Sequence, residues 1–430
     1  MQSIMIIKNV KVYTEERIFE EGSIYIEGGR FVSPSAYYER RAAGEESREQ
    51  EEEVIDGKGC YAVPGLIDLH FHGCMGADLC DGTKEALRTI AEYEASVGVT
   101  AIAPATMTLP VKELEKILST AAEYARRQTE GLAGIQEKDG TSQISKPCAD
   151  LVGINMEGPF ISRAKKGAQD AANIIPCDVA VCERFLEASE GLVKFIGIAP
   201  EESEGAEDFI RAVKDKVHVS LAHTNADYDT ADAAFRAGAD HAVHLYNAMS
   251  SFTHRTPGVI GAAADNEHVW AELICDGVHV HPAAVRAAFK MLGAERIVLI
   301  SDSMRAAGMP DGTYTLGGLE VNVRGNKATL ASDGALAGSV TNLMDCMRTV
   351  VKEMQIPLET AVACATINPA RRLGIEDDYG SISEGKIGDV ALLDKNLDLK
   401  LVVKRGEVFF GGQDILQERG WDDIINTCRP

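Results

Sequence analysis

Ala62-Val63-Pro64-Gly65-Leu66-Ile67-Asp68-Leu69-His70-Phe71-His72 is an apolar run that ends in two histidines. Its apolar residues fall on both parities, as in a strand buried on both faces, and residues 62–70 are read as one strand. A helical pattern follows over residues 84–97. The same alternation then repeats down the chain. Strands are predicted at 99–105, 151–156, 193–198, 217–221, 242–246, 269–274 and 296–300. Helices are predicted at 111–127, 179–190, 206–215, 226–237 and 282–291, the last opening on Pro282. A long loop containing Gly and Pro follows Tyr246. Eight buried strands alternating with helices predict a parallel sheet, and their number and spacing suit a closed (β/α)₈ TIM-like barrel better than an open sheet.

Outward from this core the texture changes. The segments IMIIKNVKVY and SIYIEGGRFV near the start, and residues 380–410 near the end, read as short antiparallel strands. They predict a small β-sandwich domain built from residues 1–62 and 378–430, beside a catalytic barrel of residues 63–377. Residues 312–318 read as a hairpin insertion, and helices are predicted at 340–354 and 358–365. Residues 45–53 (EESREQEEE) read as a solvated acidic loop, and residues 130–150 as a lengthened surface loop.

The chain has 430 residues and a formal net charge of −23. Such a balance argues against nucleic acid as a partner, since binding phosphates requires a basic face. It also means that an anionic small substrate needs a local cationic site built against the overall field. Ten Cys are scattered without a CxxC pair, which fits reduced, buried thiols and no disulfide framework. The four-residue apolar run at Ile4 is too short for a signal peptide, and no stretch has the length of a membrane span. The expectation is a cytoplasmic protein without a membrane partner.

A barrel enzyme carries its chemistry at the C-terminal ends of its strands. Those ends hold His70 and His72, Glu157, His223, His244 and Asp302. His70 and His72, two apart, address one point. Imidazoles together with carboxylates suit a divalent ion, Zn²⁺ or Fe²⁺ among them. His241 and His218 lie at odd spacings from His244 and His223, so both are expected to point elsewhere and to be structural.

The segment from Val63 to Gly73 resembles the first-strand motif of the amidohydrolase superfamily. More narrowly, MEGPF at 156–160, AHTNA at 222–226, HLYNAM at 244–249, DGVH at 276–279 and LAGS at 336–339 resemble the N-acetylglucosamine-6-phosphate deacetylase family. The resemblance runs in order from about residue 54 to 389. It implies a metal-dependent hydrolase barrel, with Glu157, His223 and His244 as the main ligands and His70 and His72 as holders of a second ion. One or two divalent ions per subunit are therefore expected, Zn²⁺ foremost, with Fe²⁺ or another divalent ion as alternatives. It implies Asp302 as the catalytic acid and base. It implies substrate contacts at Ala168, Gln169, Asn247, Ala248, Arg255, Asp276, Gly277, Val278, His279, Leu336, Ala337 and Gly338, with Arg255 and His279 on the phosphate. It also implies a homodimer whose neighbouring subunit helps to bind that phosphate. Gln169 departs from the family, which commonly has His there; it is expected to hydrogen-bond a sugar hydroxyl or amide without adding charge. The expected reaction is attack of metal-activated water on the acetamide of N-acetyl-D-glucosamine 6-phosphate, giving glucosamine 6-phosphate and acetate. The galactosamine epimer is the nearest alternative. A different amidohydrolase is disfavoured because the third strand ends in Glu157 where many such enzymes carry a carboxylated Lys. A scaffold without activity is disfavoured because all the candidate ligands are present.

Overall fold

The computed structural model describes residues 4–43, 52–132 and 148–411. Most of the acidic segment 45–53, the middle of the loop 130–150 and the end of the segment 378–430 lie outside the described residues.

The core is a TIM-like (β/α)₈ barrel. Its strands are Leu66–Asp68, Val99–Ile102 with Ala105–Thr106, Asp150–Leu151 with Ile154–Phe160, Val193–Ile198, His218–Leu221, His241–Ala242, Trp270–Ile274 and Ile297–Ile300. Successive strands pair in parallel from Ala105–Thr106 round to Ile297–Ile300, and Leu66–Asp68 pairs in parallel with Val99–Ile102. The ring closes where the first and last strands meet: Asp302 N donates to His70 O at 3.0 Å, His72 N to Ser303 O at 2.7 Å, and Ser301 Oγ to Asp68 Oδ2 at 2.5 Å. These strands are buried almost throughout, so their sequences lack the alternation of half-buried strands.

Helices cover the outside. Lys84–Ser96 turns Ala86, Leu87, Ile90, Ala91 and Ala95 inward, and Thr83 caps it by accepting from Ala86 N. Asp178, Asp227 and His281 cap the helices Val179–Ala188, Tyr228–Ala237 and Pro282–Leu292 in the same manner. The loop expected after Tyr246 contains a further helix, Gly258–Asp265, buried on nearly every side. It shows no polar stripe because it has no wet face, and that stripe is what periodicity detects.

A second sheet of eight strands gathers both ends of the chain. Its order runs Glu407–Gly411, Leu399–Lys404, Val390–Leu393, Tyr61–Pro64, Ile4–Tyr13, Phe19–Glu27 and Arg30–Val32, with Glu52–Asp56 also on Ile4–Tyr13. Met5, Ile7, Ile24, Ile26, Leu392, Leu401 and Val403 share its core. The single strand expected at 62–70 is thus two. Pro64 pairs with Val390 in this sheet, while Leu66 pairs with Val99 in the barrel. Gly65 makes the handover: a Cβ there would come within 2.0 Å of Thr100 Oγ1. The expected hairpin at 312–318 extends to three antiparallel strands, Gly312–Leu316, Leu319–Arg324 and Lys327–Leu330, packed through Leu316 against Met107 and Ala168 at the barrel mouth. Among the described residues, no helix is long and apolar enough to cross a membrane.

Candidate active site

The structure brings His70, His72, Glu157, His223, His244 and Asp302 together at one mouth of the barrel. Three of them sit two residues past a strand with backbone in the left-handed region: φ is 44° at His223, 29° at His244 and 48° at Asp302. For non-glycine residues this conformation costs about 1–3 kcal/mol each, and such outliers cluster where function fixes a side chain. Here the turn folds each side chain over the mouth.

Glu157 Oε1 lies 2.9 Å from His223 Nε2 and 2.8 Å from His244 Nε2, and these two nitrogens are 3.2 Å apart. His70 Nε2 is 3.5 Å from the same oxygen. His72 Nε2 is 3.3 Å from Glu157 Oε2 and 3.4 Å from Asp302 Oδ1. Ligands around one tetrahedral ion with bonds of about 2.0–2.2 Å stand about 3.3–3.6 Å apart. Two overlapping ligand groups result: His70, His72 and Glu157, and Glu157, His223 and His244.

The donor set fits a divalent ion on grounds beyond composition. His70 Nδ1 bonds Glu272 Oε2 at 2.7 Å, while His70 Nε2 is buried without a hydrogen-bond partner among the described residues. His223 Nδ1 donates to Lys165 O at 2.8 Å, which leaves Nε2 as the nitrogen that faces Glu157. Ligating imidazoles are commonly held this way, by a carboxylate or carbonyl on the far nitrogen. Burial alone raises the Glu157 carboxyl; the charge and hydrogen bond of His223, with the neighbouring His244 and His70, outweigh it and hold the group well below the ordinary range. For Asp302 burial also opposes ionisation, and the His72 hydrogen bond with the charges of His70 and His72 lowers its carboxyl.

A cavity of about 360 Å³ opens over these groups. Of the residues expected on the substrate, Ala168, Gln169, Asn247, Ala248, His279, Leu336, Ala337 and Gly338 line it, and Lys165 joins them. Asp276, Gly277, Val278 and Arg255 do not line it. Asp276 instead accepts from Val278 N and His279 N and bonds His279 Nδ1 at 2.7 Å, so it holds His279 in place. Arg255 stands on an exposed stretch, residues 251–256. Gln169 reaches the cavity but does not offer its amide to it: Nε2 donates to Glu157 Oε2 at 2.8 Å, and Oε1 accepts from Thr108 N at 2.6 Å.

Strand parity misplaced His241. The sixth strand ends at Ala242, so the spacing to His244 crosses a turn. His241 Nε2 lies inside the barrel, 2.9 Å from Glu272 Oε1. Glu272 also accepts from His244 N and from Asn155 Nδ2, beside its bond to His70. This carboxylate, missed in the sequence, anchors two of the histidines gathered at the mouth, His70 and His244. Its signal was a lone acid in the otherwise apolar strand Trp270–Ile274. His218 does lie apart, bonded to Asp240.

Residues 61–413 match the Amidohydrolase family. An N-acetylglucosamine-6-phosphate deacetylase of Bacillus subtilis is 34% identical over 95% of this chain and 98% of its own. An N-acetylgalactosamine-6-phosphate deacetylase of Escherichia coli O157:H7 is 36% identical over 80% of this chain and 86% of its own. The N-acetyl-D-glucosamine-6-phosphate deacetylase of Mycobacterium smegmatis, solved with N-acetyl-D-glucosamine-6-phosphate, superposes with a TM-score of 0.80 at 29% identity, covering 95% of this chain and 99% of that one. A barrel mouth set with histidines and carboxylates, and this extent of likeness in sequence and structure, lead to one conclusion: the chain belongs to the amidohydrolases, a hydrolase family that relies on metal ions, and within it to the N-acetylglucosamine-6-phosphate deacetylases.

Proposed function

We propose that this hydrolase cleaves the acetamide of N-acetyl-D-glucosamine 6-phosphate, releasing glucosamine 6-phosphate and acetate. The observation that carries the reading is the meeting of Glu157, His223, His244 and Asp302 under one cavity lined by Asn247, Lys165 and His279. The names of the similar proteins agree with it.

Amide resonance makes the carbonyl a poor electrophile. Glu157, His223 and His244 would hold a divalent ion, with His70 and His72 for a second; bound there, it would supply Lewis acidity to that carbonyl and acidity to water. The imidazole-rich set suits Zn²⁺ first and Fe²⁺ next. Asp302, kept ionised by the neighbouring histidines, takes the proton of the attacking water as general base. It then returns that proton to the departing nitrogen as general acid, because an amine anion is too basic to leave. Asp276 fixes His279 through Nδ1, so Nε2 is the polar atom His279 has left for substrate. Lys165 adds a cation to the lining, which the acidic chain needs for a phosphate.

We further propose a cytoplasmic homodimer. Arg255 lies outside its own cavity, and its guanidinium meets no carboxylate among the described residues; its reach is then to the phosphate held by a neighbouring subunit. A guanidinium forks onto phosphate oxygens in two parallel bonds.

The test is acetate release from a panel of N-acetylated hexosamine 6-phosphates, both epimers included, with metal content measured on the same sample. Release is expected to be fastest with the glucosamine compound and to require bound metal. Faster release from the galactosamine compound moves the assignment to the epimer. No release from either sinks the reading.

A further inference from the structure

Residues 165–169 touch two ligands of one ion position. The Lys165 carbonyl accepts from His223 Nδ1 at 2.8 Å and turns His223 Nε2 toward Glu157. Gly167, at φ +53°, keeps this stretch against the His223 ring, where a Cβ would stand 3.3 Å from Cε1. Two residues on, Gln169 is 1% exposed and receives the Thr108 N–H on Oε1 at 2.6 Å. A backbone N–H can only donate, so the amide has one orientation, and Nε2 is the end that faces Glu157 Oε2 at 2.8 Å. The amide N–H therefore occupies a lone pair of Oε2. Oε1 is left to face His223 and His244 at 2.9 and 2.8 Å, with His70 Nε2 farther away at 3.5 Å. His72 Nε2, 3.3 Å from Oε2, stands by the oxygen that the amide already engages.

We propose that Gln169 is a positioning residue that tethers Glu157 by one oxygen, directs the other toward the ion position beside His223 and His244, and makes that position the tighter of the two in the site. The proposal rests on Glu157 being an ion ligand. A carboxylate free at both oxygens swings between two cations; tethered at one, it is set in advance for a single ion. The position beside His70 and His72 then receives the weaker share of Glu157.

The experiment titrates ion-free, full-length protein with Co²⁺, followed by calorimetry and by the visible absorption of the bound ion. In Gln169→Met, which keeps volume and removes the donor, the tighter step is expected to weaken about 10–100-fold. The looser step is expected not to weaken, and the absorption of the first equivalent to change as Glu157 turns. Gln169→Glu keeps the acceptor for Thr108 N and places a second carboxylate against Oε2, so its looser step is expected to strengthen. Melting temperatures of the ion-free variants check the fold; if Gln169→Met does not fold, Gln169→Glu decides. A tighter step within roughly threefold of the parent in Gln169→Met, an equal loss in both steps, or an unchanged looser step in Gln169→Glu overturns the proposal. A parent protein that binds no Co²⁺ overturns the metal-centre reading, and this inference with it.

Discussion

Asp302 has two duties in the proposed reaction, and they separate by substitution. Asp302→Asn keeps the shape and the neighbours of the side chain but removes the base. Turnover is expected to fall about 10²–10⁴-fold while metal content and melting temperature hold; near-parental kcat in a metal-loaded variant removes Asp302 from the chemistry. Glu157→Ala deletes the carboxylate common to both ligand groups. Elemental analysis is expected to find no stoichiometric metal and the assay no activity. The residues behind these tests were legible because strand ends are legible, and a barrel puts its chemistry there. Glu272 was not, and Gln169 was expected on the substrate, not on Glu157. Each acts through partners distant in sequence, such as Thr108 for one and His70 for the other, and no spacing rule reports such a bond.

Elements carry a different kind of consequence. The helix Lys84–Ser96 buries Glu94 among its apolar residues, and neither carboxylate oxygen has a hydrogen-bond partner among the described residues. Burial, then the charge of Asp68, raises the Glu94 carboxyl well above its ordinary value. The folded state thus holds this proton more tightly than the unfolded chain. Stability falls as pH rises above the ordinary glutamate value of about 4.3 toward the folded one. Glu94→Met is expected to stabilise the protein by about 1–3 kcal/mol near neutral pH and by less near pH 4; denaturant midpoints at both pH values check it, and equal or reversed shifts refute it. Strand and helix positions were readable where burial gives a pattern, as in Lys84–Ser96. They were unreadable where it erases one, as in Gly258–Asp265, or where a chain changes sheets without changing texture, as at Gly65.

At the scale of the whole molecule, Lys404 ties the terminal sheet to the barrel. Its Nζ meets Asp150 Oδ2 at 2.5 Å and Asp389 Oδ2 at 2.7 Å, and Arg405 adds a 3.0 Å bond to Asp150. Burial opposes each charge, yet the partners win: Asp150 is lowered and Lys404 raised. The aspartate's contribution is present above its ordinary pKa and lost as pH falls through its folded value. The lysine's is present below about 10.4 and lost as pH climbs through its higher folded value. Lys404→Met leaves two buried carboxylates short of a cation and is expected to cost about 3–5 kcal/mol at neutral pH, less in acid, by chemical unfolding. Arg255 tests assembly. Arg255→Ala is expected to raise KM steeply for the phosphorylated sugar and little for N-acetylglucosamine, and a catalytically dead Asp302→Asn subunit is expected to restore phosphate binding when mixed with it; equal KM effects on both sugars place the phosphate elsewhere. The barrel's closure has one more outcome. His70 and His72 enter early in synthesis, yet Asp302 arrives beyond the last strand and donates its own N–H back to His70 O. In a chain growing on the ribosome the proposed ligands His70 and His72 therefore emerge long before the proposed base, and the two are joined only when the final stave is driven into the cask.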